Sequence, residues 1–557
     1  MSFAWGLILA LLSRAAPSDP GLLLQGATVY ASADAGPRKA SVFIQNGKIA
    51  FVGEAAQARR RAGSARVLDL TGRFLFAGWS DAHGHLEGLG EALEIADLRG
   101  SSSAAEAARR VAARAEGLPA GAWAEGRGWD QNLWEGHQFP DARDLDAAIA
   151  GRPAVARRVD GHAVWVNSKA LEAAGVGPAT SDPPGGRILR RADGSPSGVL
   201  IDNAMDLIGR SMPARTAADS ERRLLAAARA CARAGLTEVQ DASAYGPESI
   251  AALERLAARG ELPIRVYATV SPDEKLLARS FERGVRIGRG ADFLTVRAVK
   301  AYADGALGSR GAALLEDYSD EPGKRGLLVM PSEGLDALAL ACRKEGWQLW
   351  VHAIGDRGNR IALDAFRKAA LALPKAPPGG DRPRIEHAQV VAVADIPRFG
   401  QEGVIASIQP THATSDMLWA ELRVGPDRIR GAYAWRSLKG SGARLAGGSD
   451  FPVESQNPLL GFYAAVTRQD TSGNPPGGWR SEERLTRPEA LALFTSDAAY
   501  AAFEEDRRGR VAPGYDADLT VLASDPMATP AREIPSIAVT LTIVGGRVFP
   551  VEAPPAP

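Results

Sequence analysis

Two histidines separated by one residue, His83 and His85, are the first group in the sequence that could do chemistry. They end an apolar stretch that is typical of a β-strand. Because side chains alternate along a strand, residues two apart point to the same side, and both imidazoles can face one metal ion. Paired histidines in strands are also common where they only pack or face solvent, so the pair alone does not establish a metal site.

The distribution of the other histidines strengthens the metal interpretation. The chain has seven histidines, and four of them fall at the C-terminal ends of segments that we predict to be β-strands: His83, His85, His352 and His387. A random scatter of seven histidines would rarely give this arrangement. The sequence therefore predicts a cluster of imidazoles.

Two further polar residues occupy comparable positions. Asp450 closes another predicted strand within GGSDFP, where an aspartate of a turn is the alternative interpretation. Lys300 lies in an apolar strand, where an unpaired ammonium group would be costly to bury. Lys300 must therefore pair with a carboxylate such as Asp304, or lose its positive charge.

Eight apolar, β-rich segments alternate with helical segments through most of the chain, as a barrel of parallel strands requires. In order, they are residues 74–85, 236–243, 264–270, 294–304, 347–356, 383–389, 403–410 and 444–452. Polar residues gather at their C-terminal ends, where (β/α)₈ barrels hold their active sites. The sequence predicts the α/β class and a (β/α)₈ TIM barrel over residues 74–505.

Both ends of the chain contain short strands that lie outside this barrel. Residues 22–53 contain three, and Asn46-Gly47 between the second and third favours a two-residue hairpin turn. Residues 506–550 again show short alternating strands with Gly-rich turns and no long helix. We expect one small β-sandwich domain, built from residues 20–73 and 506–550.

About 150 residues separate the first two barrel segments, far more than a crossover connection needs. We interpret residues 90–235 as an inserted cap that covers the substrate. Its aromatic and charged clusters contain three candidate substrate-binding residues, Trp129, Asp130 and His162, and His412 after the seventh barrel segment is a fourth. For His162, a structural histidine with satisfied hydrogen bonds is the alternative.

Composition excludes several classes of protein. Lys+Arg and Asp+Glu number 66 each, so the net charge gives no reason to expect nucleic acid or an anionic membrane as a partner. No apolar stretch approaches the roughly 18 residues of a stable membrane span. The two cysteines, Cys231 and Cys342, lie in predicted helices, so any metal must have N and O ligands. We expect a small-molecule substrate, and a homodimer is the assembly we consider.

The N-terminal residues 1–16 resemble a signal peptide. A short apolar run, residues 5–12, precedes small residues that are compatible with cleavage near Ala15 or Ala16. No Lys or Arg precedes the run, so a disordered tail is the alternative. Cleavage would imply a periplasmic or secreted protein, and otherwise a cytoplasmic one.

The order of these candidate residues along the chain resembles that of the amidohydrolase superfamily. The set is the HxH pair, the lysine of the fourth barrel segment, the histidines of the fifth and sixth, and the aspartate of the eighth. The sequence more closely resembles amidohydrolase family 3, which includes the N-substituted formamide deformylase-like enzymes. This resemblance lies in the stretches RGWDQNLW, DGHAVWVNSKAL, VKAYADGALGS, VHAIGDRGN, RIEHAQVV, QPTH and GGSDFPVESQNP. The resemblance extends over residues 26–548. One departure is Ala77-Gly78, where Pro-Gly often precedes the first metal motif.

The resemblance implies a binuclear metal centre. It assigns one metal to His83, His85 and Asp450, the other to His352 and His387, and both to Lys300 as a bridging carbamate formed with CO₂. Zinc is the expected metal, with iron, manganese or nickel as alternatives. Two adjacent ions lower the pKa of a shared water, so that a bridging hydroxide can attack the substrate carbonyl.

The same resemblance assigns roles in proton transfer and substrate binding. Asp450 acts as general base toward the hydroxide and then as general acid toward the leaving nitrogen. His162 forms a hydrogen bond with the substrate carbonyl. The predicted function is hydrolysis of a non-peptide C–N bond in a small amide, N-acyl or formamide compound.

Two alternatives remain open. The same metal site could act on a cyclic amide, an ester or an aryl amine. The barrel could also have lost catalysis and serve as a binding protein. That second alternative predicts the loss of at least one metal ligand, and all six are present.

Overall fold

The computed structural model describes residues 21–119, 121–213 and 216–550. The predicted signal peptide, residues 1–16, lies outside these ranges, so it and the cellular location that depends on it stay predictions. The described chain forms three β-sheets, which are a terminal sheet of eight strands, a cap sheet of six and a barrel sheet of nine. No helix in these ranges is both long enough and apolar enough to cross a membrane.

The N-terminal part of the terminal sheet lies within residues 22–77. Its N-terminal elements are β1 Leu22–Val29, β2 Arg38–Gln45, β3 Lys48–Gly53, α1 Ala55–Ala62, β4 Arg66–Asp69 and β5 Phe74–Ala77. Asn46 and Gly47 join β2 to β3 with positive φ at both residues, which confirms the predicted hairpin turn. The first half of β1 pairs with β4 and its second half with β5, so the sheet splits there.

The first barrel strand and helix, β6 Trp79–Gly84 and α2 Leu86–Ala92, precede the cap. The cap elements are β7 Ala96–Asp97, α3 Ala104–Ala115, β8 Ala124–Trp129, α4 Ala142–Ala148, β9 Ala154–Arg158, β10 Ala163–Val166, α5 Ser168–Ala173, β11 Gly186–Arg190, β12 Pro196–Asp202 and α6 Asp206–Gly209. Their strands form a sheet in the order β11-β12-β10-β9-β8-β7. Two buried clusters, one around Trp129 and Trp165 and one around Trp123 and Leu200, give the cap a core of its own.

The remaining barrel strands are β13 Leu236–Tyr245, β14 Arg265–Val270, β15 Arg286–Gly288, β16 Leu294–Tyr302, β17 Gln348–Ala353, β18 Arg384–His387, β19 Ile405–Ile408 and β20 Leu445–Gly447. Except for β15, they form a parallel sheet with β6 in the order β6-β13-β14-β16-β17-β18-β19-β20, which confirms the eight predicted segments. The Asp450 N–H, just after β20, donates to His83 O at 2.7 Å. This bond brings the last strand against the first, and the barrel is nearly closed.

Helices cover the outside of the barrel and its loops. They are α7 Ala217–Arg233, α8 Pro247–Ala258, α9 Glu274–Arg283, α10 Arg289–Asp292, α11 Ser332–Glu345, α12 Asp356–Ala372, α13 Ile396–Glu402, α14 Pro410–Asp416, α15 Ala420–Arg428, α16 Trp435–Gly440, α17 Pro458–Thr467, α18 Arg487–Leu493 and α19 Ser496–Ala501. Cys231 and Cys342 are buried free thiols in α7 and α11, as the sequence predicts.

The chain returns to the terminal sheet through β21 Leu519–Leu522, β22 Val539–Val544 and β23 Arg547–Pro550. Strand β21 pairs antiparallel with β5, so both ends of the chain build one small β domain. Its core combines Leu24 and Val42 from the first strands with Leu519 and Ile543 from the last.

Two boundaries differ from the sequence-based expectation. Residues 74–77 form β5 of the terminal sheet instead of starting the barrel, which begins at Trp79. At Gly78 an added Cβ would lie 2.2 Å from Thr237 Oγ1, so only glycine lets the chain pass β13 here. Helix α7, placed in the cap by the range 90–235, packs Leu224 and Cys231 into the barrel core. An apolar pattern shows that a segment is buried but not against which sheet.

Candidate metal centre

The six residues assigned to the metal centre gather at the C-terminal ends of the barrel strands. They are His83 in β6, His85 just after it, Lys300 in β16, His352 in β17, His387 at the end of β18 and Asp450 after β20. Five of the six line one cavity of about 750 Å³ whose other walls come from the cap and from the loops of the barrel. The sixth, His83, is fully buried beside Asp450.

The donor atoms of three of these residues converge. One ligand atom each of His83, His387 and Asp450 lies within 4.8 Å of the other two. Asp450 Oδ1 is 3.4 Å from His83 Nε2 and 2.9 Å from His85 Nε2. The ring centroids of His352 and His387 are 4.6 Å apart. The structure therefore places His85 beside Asp450 and His352 beside His387, around the converging group.

Neighbouring side chains orient two of the imidazoles. His83 Nδ1 lies 2.5 Å from Glu386 Oε2, and His387 Nδ1 lies 2.7 Å from Gln409 Oε1. Because these oxygens accept hydrogen bonds, each Nδ1 donates and each Nε2 keeps its lone pair. Within the described ranges, His83 Nε2 is buried without a hydrogen-bond partner. Such a nitrogen beside a carboxylate fits a divalent cation with N and O ligands.

Lys300 is a buried amine, and its ammonium form lacks a close counter-ion. Among the described residues, no carboxylate oxygen lies within 4.0 Å of its Nζ, which is 4.6 Å from the centre of the Tyr302 ring. Burial lowers the pKa of Lys300 to about 8, although the charges of Glu386 and Asp450 oppose this shift. The Asp304 carboxylate, considered above as its partner, instead accepts three backbone N–H groups at 2.8 to 2.9 Å.

Sequence reasoning missed Glu386 and Arg384, which lie behind the centre. Arg384 donates to both carboxylate oxygens of Glu386, at 2.8 and 3.0 Å. Burial opposes ionisation of Glu386, but the charges of Arg384 and His83 outweigh it and hold the pKa of that carboxyl well below its usual range. Charged residues in a short apolar strand, PRIEHAQ, are the signal that could have indicated them.

A backbone irregularity explains why strand periodicity did not reveal Glu386. Alternation predicts that Glu386 and His387 point to opposite faces of β18. His387 has φ 74°, however, so both side chains reach the site, one toward His83 and the other toward the cavity. A positive φ in a residue other than glycine is uncommon and clusters at functional sites.

The structure brings His162 and His412 to the same cavity. His162 Nδ1 lies 2.7 Å from Asp202 Oδ1, and its ring centroid is 4.9 Å from that of His352. Burial disfavours the charged imidazolium, but Asp202 outweighs it and raises the pKa of His162. His412 Nε2 lies 3.7 Å from Asp450 Oδ2. Both histidines therefore occupy positions next to the predicted metal ligands.

The other two predicted substrate-binding residues, Asp130 and Trp129, lie in different surroundings. Asp130 lines the cavity, where its carboxylate pairs with Arg158. Trp129 is wholly buried in the cap core, and its Nε1 donates to Ala156 O at 2.8 Å. The prediction that Trp129 lines the cavity is wrong. The pairing of β8 with β9 shifts between Arg127 and Trp129, and Gly128 has φ 110°, so the regular alternation is broken there. Arg127 therefore lines the cavity whereas the Trp129 ring packs into the cap core.

The sequence profile of the amidohydrolase family matches residues 66–550. The chain belongs to the amidohydrolase family. YtcJ of Bacillus subtilis (strain 168), named as an amidohydrolase, is 34% identical over 534 residues, which cover 94% of this chain and 98% of that protein. The N-substituted formamide deformylase of Arthrobacter pascens is 26% identical over 521 residues, covering 91% and 94%.

A solved structure agrees with this assignment. The crystal structure of a metal-dependent hydrolase from Pyrococcus horikoshii OT3 has a TM-score of 0.74 and 28% sequence identity to this amidohydrolase. The match covers 92% of this chain and 99% of that one. The family resemblance that the motifs indicated is confirmed, and the amidohydrolase is a member of a family of metal-dependent hydrolases.

Proposed function

We propose that this amidohydrolase cleaves a C–N bond other than a peptide bond in a small N-acyl or formamide compound, with two divalent ions in its site. The observation that carries the proposal is the convergence of donor atoms from His83, His387 and Asp450 beside a cavity of about 750 Å³. The relative from Arthrobacter pascens, an N-substituted formamide deformylase, supports the substrate class.

The donor set indicates how the ions would be held. His83, His85 and Asp450 would hold one ion, and His352 and His387 the other. These N and O donors suit zinc, with iron, manganese or nickel as alternatives. Bound ions of this kind supply a Lewis acid for the substrate carbonyl and lower the pKa of coordinated water.

Lys300 would join the two halves of the site after reaction with CO₂. The neutral Nζ forms an N–C bond to CO₂ and loses one proton to solvent, which leaves an anionic carbamate with two donor oxygens. The absence of any carboxylate within 4.0 Å among the described residues supports this step. It replaces a buried cation, which is costly without a partner, by an anion beside the metal ligands.

The proton transfer would involve one oxygen of Asp450. Asp450 Oδ1 is engaged by His85 at 2.9 Å and lies close to His83, so Oδ2 is the atom that can hold a proton and deliver it to the leaving nitrogen. His412 Nε2, 3.7 Å from Oδ2 and without a hydrogen-bond partner in the described chain, faces the same atom.

His162 would bind the substrate carbonyl. Its Nδ1 is taken by Asp202, so Nε2 is the nitrogen available to the cavity. The Asp202 carboxylate favours the imidazolium form, in which Nε2–H can donate a hydrogen bond. Asp202 therefore acts as a positioning residue for His162.

Metal analysis together with a substrate panel tests the proposal. We expect about two divalent ions per chain, hydrolysis of N-formyl and N-acyl amines, loss of turnover with a chelator and recovery with zinc. The panel includes dipeptides, cyclic amides, esters and aryl amines. Full turnover by metal-free protein, or activity confined to those other classes, would contradict the proposal.

Replacing Lys300 tests the carbamate. Lys300→Ala should lose bound metal and activity together, with partial recovery in the presence of acetate, which can supply a carboxylate to the vacated space. Lys368→Ala, which removes an exposed lysine that pairs with Asp336, is the matched control. Unchanged metal content in Lys300→Ala would count against a carbamate bridge.

A further inference from the structure

Arg127, on strand β8 of the cap, lines the cavity opposite the barrel strands. Among the described residues, its guanidinium makes one hydrogen bond, from Nη2 to Val159 O at 3.2 Å. Its Nε is buried and has no hydrogen-bond partner within the described ranges. No carboxylate oxygen of a described residue lies within 4.0 Å of it. The fixed positive charge of Arg127 is therefore presented to the cavity without an ion pair.

The other arginines of the cavity wall differ from Arg127 in this respect. Arg158 binds Asp130 and Asp160 and donates to Gln131 at 2.8 Å. Arg99 pairs with Asp97, and Arg157 lies 3.8 Å from Glu91. Of the four described cap arginines that line the cavity, three thus pair with carboxylates, and Arg127 is left for a group that enters the cavity.

Arg127 also lies close to the position where the proposed reaction occurs. Its Nη2 packs against Gly161, where an added Cβ would lie 3.3 Å away. The next residue is His162, whose ring centroid is 4.9 Å from that of His352. A substrate with its carbonyl at His162 would place a substituent beside Arg127.

We propose that Arg127 binds a carboxylate of the substrate, so that the natural substrates are N-formyl or N-acyl amines that carry a carboxylate. The planar guanidinium matches a carboxylate by parallel hydrogen bonds, and such charge-assisted bonds are stronger than neutral ones. The identity of the cleaved bond rests on the proposed function; the binding of the carboxylate does not.

The surrounding charges are consistent with this assignment. Burial and the charge of Arg157 lower the pKa of Arg127 to about 10, whereas the charges of Glu91, Asp450 and Asp160 oppose this shift. The cation is thus less stable in the protein than in water. A bound carboxylate would compensate for that loss.

A matched pair of substrates tests the inference. The pair is 4-formamidobenzoate and its uncharged analogue 4-formamidotoluene, which share the cleaved formamide bond. For Arg127→Gln, kcat/KM for the benzoate should fall by about 10- to 100-fold, and that for the toluene by less than about twofold. Arg127→Lys keeps the positive charge but loses the planar guanidinium that can make two parallel hydrogen bonds, and its kcat/KM for the benzoate should be intermediate.

The matched control is Arg187→Gln. Arg187 lies on β11 of the same cap sheet and has a buried Nε without a partner in the described chain, but it does not line the cavity. Its loss changes the net charge as Arg127→Gln does, and it should leave both substrates unaffected. Equal losses for both substrates in Arg127→Gln, or equal effects of the two variants, would overturn the inference.

Binding of benzoate, measured by calorimetry, separates this inference from the proposed function. The wild-type protein should bind benzoate at least about tenfold more tightly than Arg127→Gln does. Binding that depends on Arg127 in a protein that cleaves neither formamide would support the inference and contradict the function. Cleavage of both formamides at equal rates, unchanged in Arg127→Gln, would support the function and overturn the inference.

Discussion

The cavity has two sides that are built differently. The barrel side, formed by strand ends that carry His83, His387 and Asp450, has imidazoles oriented by Glu386 and Gln409. The cap side, which carries Arg127, Asp130 and His162, contains one guanidinium without an ion pair among the described residues. With the proposed function, the barrel side would hold the reacting centre in one arrangement, and the cap side would be open to a substrate group.

Separate cores allow the two sides to differ. The barrel residues pack in one large cluster, and the cap packs around Trp129, Trp165 and Trp123 in clusters of its own. Changes in the cap core therefore need not disturb the strand ends that position the histidines. In barrel enzymes, the loops and insertions at this end vary while the barrel is kept, so one chemistry can serve many substrates.

The largest expected effect lies on the barrel side. Asp450→Asn removes the oxygen that holds the proton, and kcat should fall by about 10³-fold or more. The fold should survive, because the Asp450 backbone N–H still donates to His83 O. Steady-state kinetics with added zinc and thermal unfolding measure both quantities, with Asp336→Asn on the surface as control. Near-normal turnover of Asp450→Asn would show that Asp450 does not carry the proton.

A smaller effect is expected where the cap reaches the barrel side. His162→Ala should lower kcat/KM by about 10- to 100-fold, because one hydrogen bond to the substrate carbonyl is lost. Metal content should stay at the wild-type level, since His162 belongs to the cap. If metal content and activity fall together, the two sides are not independent and the comparison fails.

The smallest effect on activity is expected in the cap core. Trp129→Phe removes the bond from Nε1 to Ala156 O and should lower the free energy of unfolding by about 1 kcal/mol. Because Trp129 does not line the cavity, kcat/KM should not change. A marked change in KM alone would indicate that Trp129 contributes to substrate binding after all.

Much of this architecture could be predicted from local patterns. The eight parallel strands follow from apolar segments at regular intervals, and the Asn46-Gly47 turn follows from residues that tolerate positive φ. The six candidate ligands followed from histidines, a lysine and an aspartate at strand ends, together with the family resemblance. These features are local, so periodicity and position along the chain are enough to find them.

Other features depend on contacts between distant segments. Glu386 escaped prediction because the positive φ of His387 breaks the alternation of β18. Gln409 and Asp202 were missed because their partners, His387 and His162, are remote in sequence. Trp129 was assigned to the cavity although it is buried in the cap core and only its neighbours Gly128 and Asp130 line the cavity, because the register shift in β8 cannot be read from the sequence.

The family, the barrel and the donor types could be predicted from residue identity and periodic burial alone. The folded structure was needed to show which atoms converge, which imidazole nitrogens lack a hydrogen-bond partner and that Arg127 has no ion pair in the described chain. The physical reason is that charge pairing and donor orientation are properties of neighbours in space. Those neighbours come from strands and a cap that are far apart along the chain.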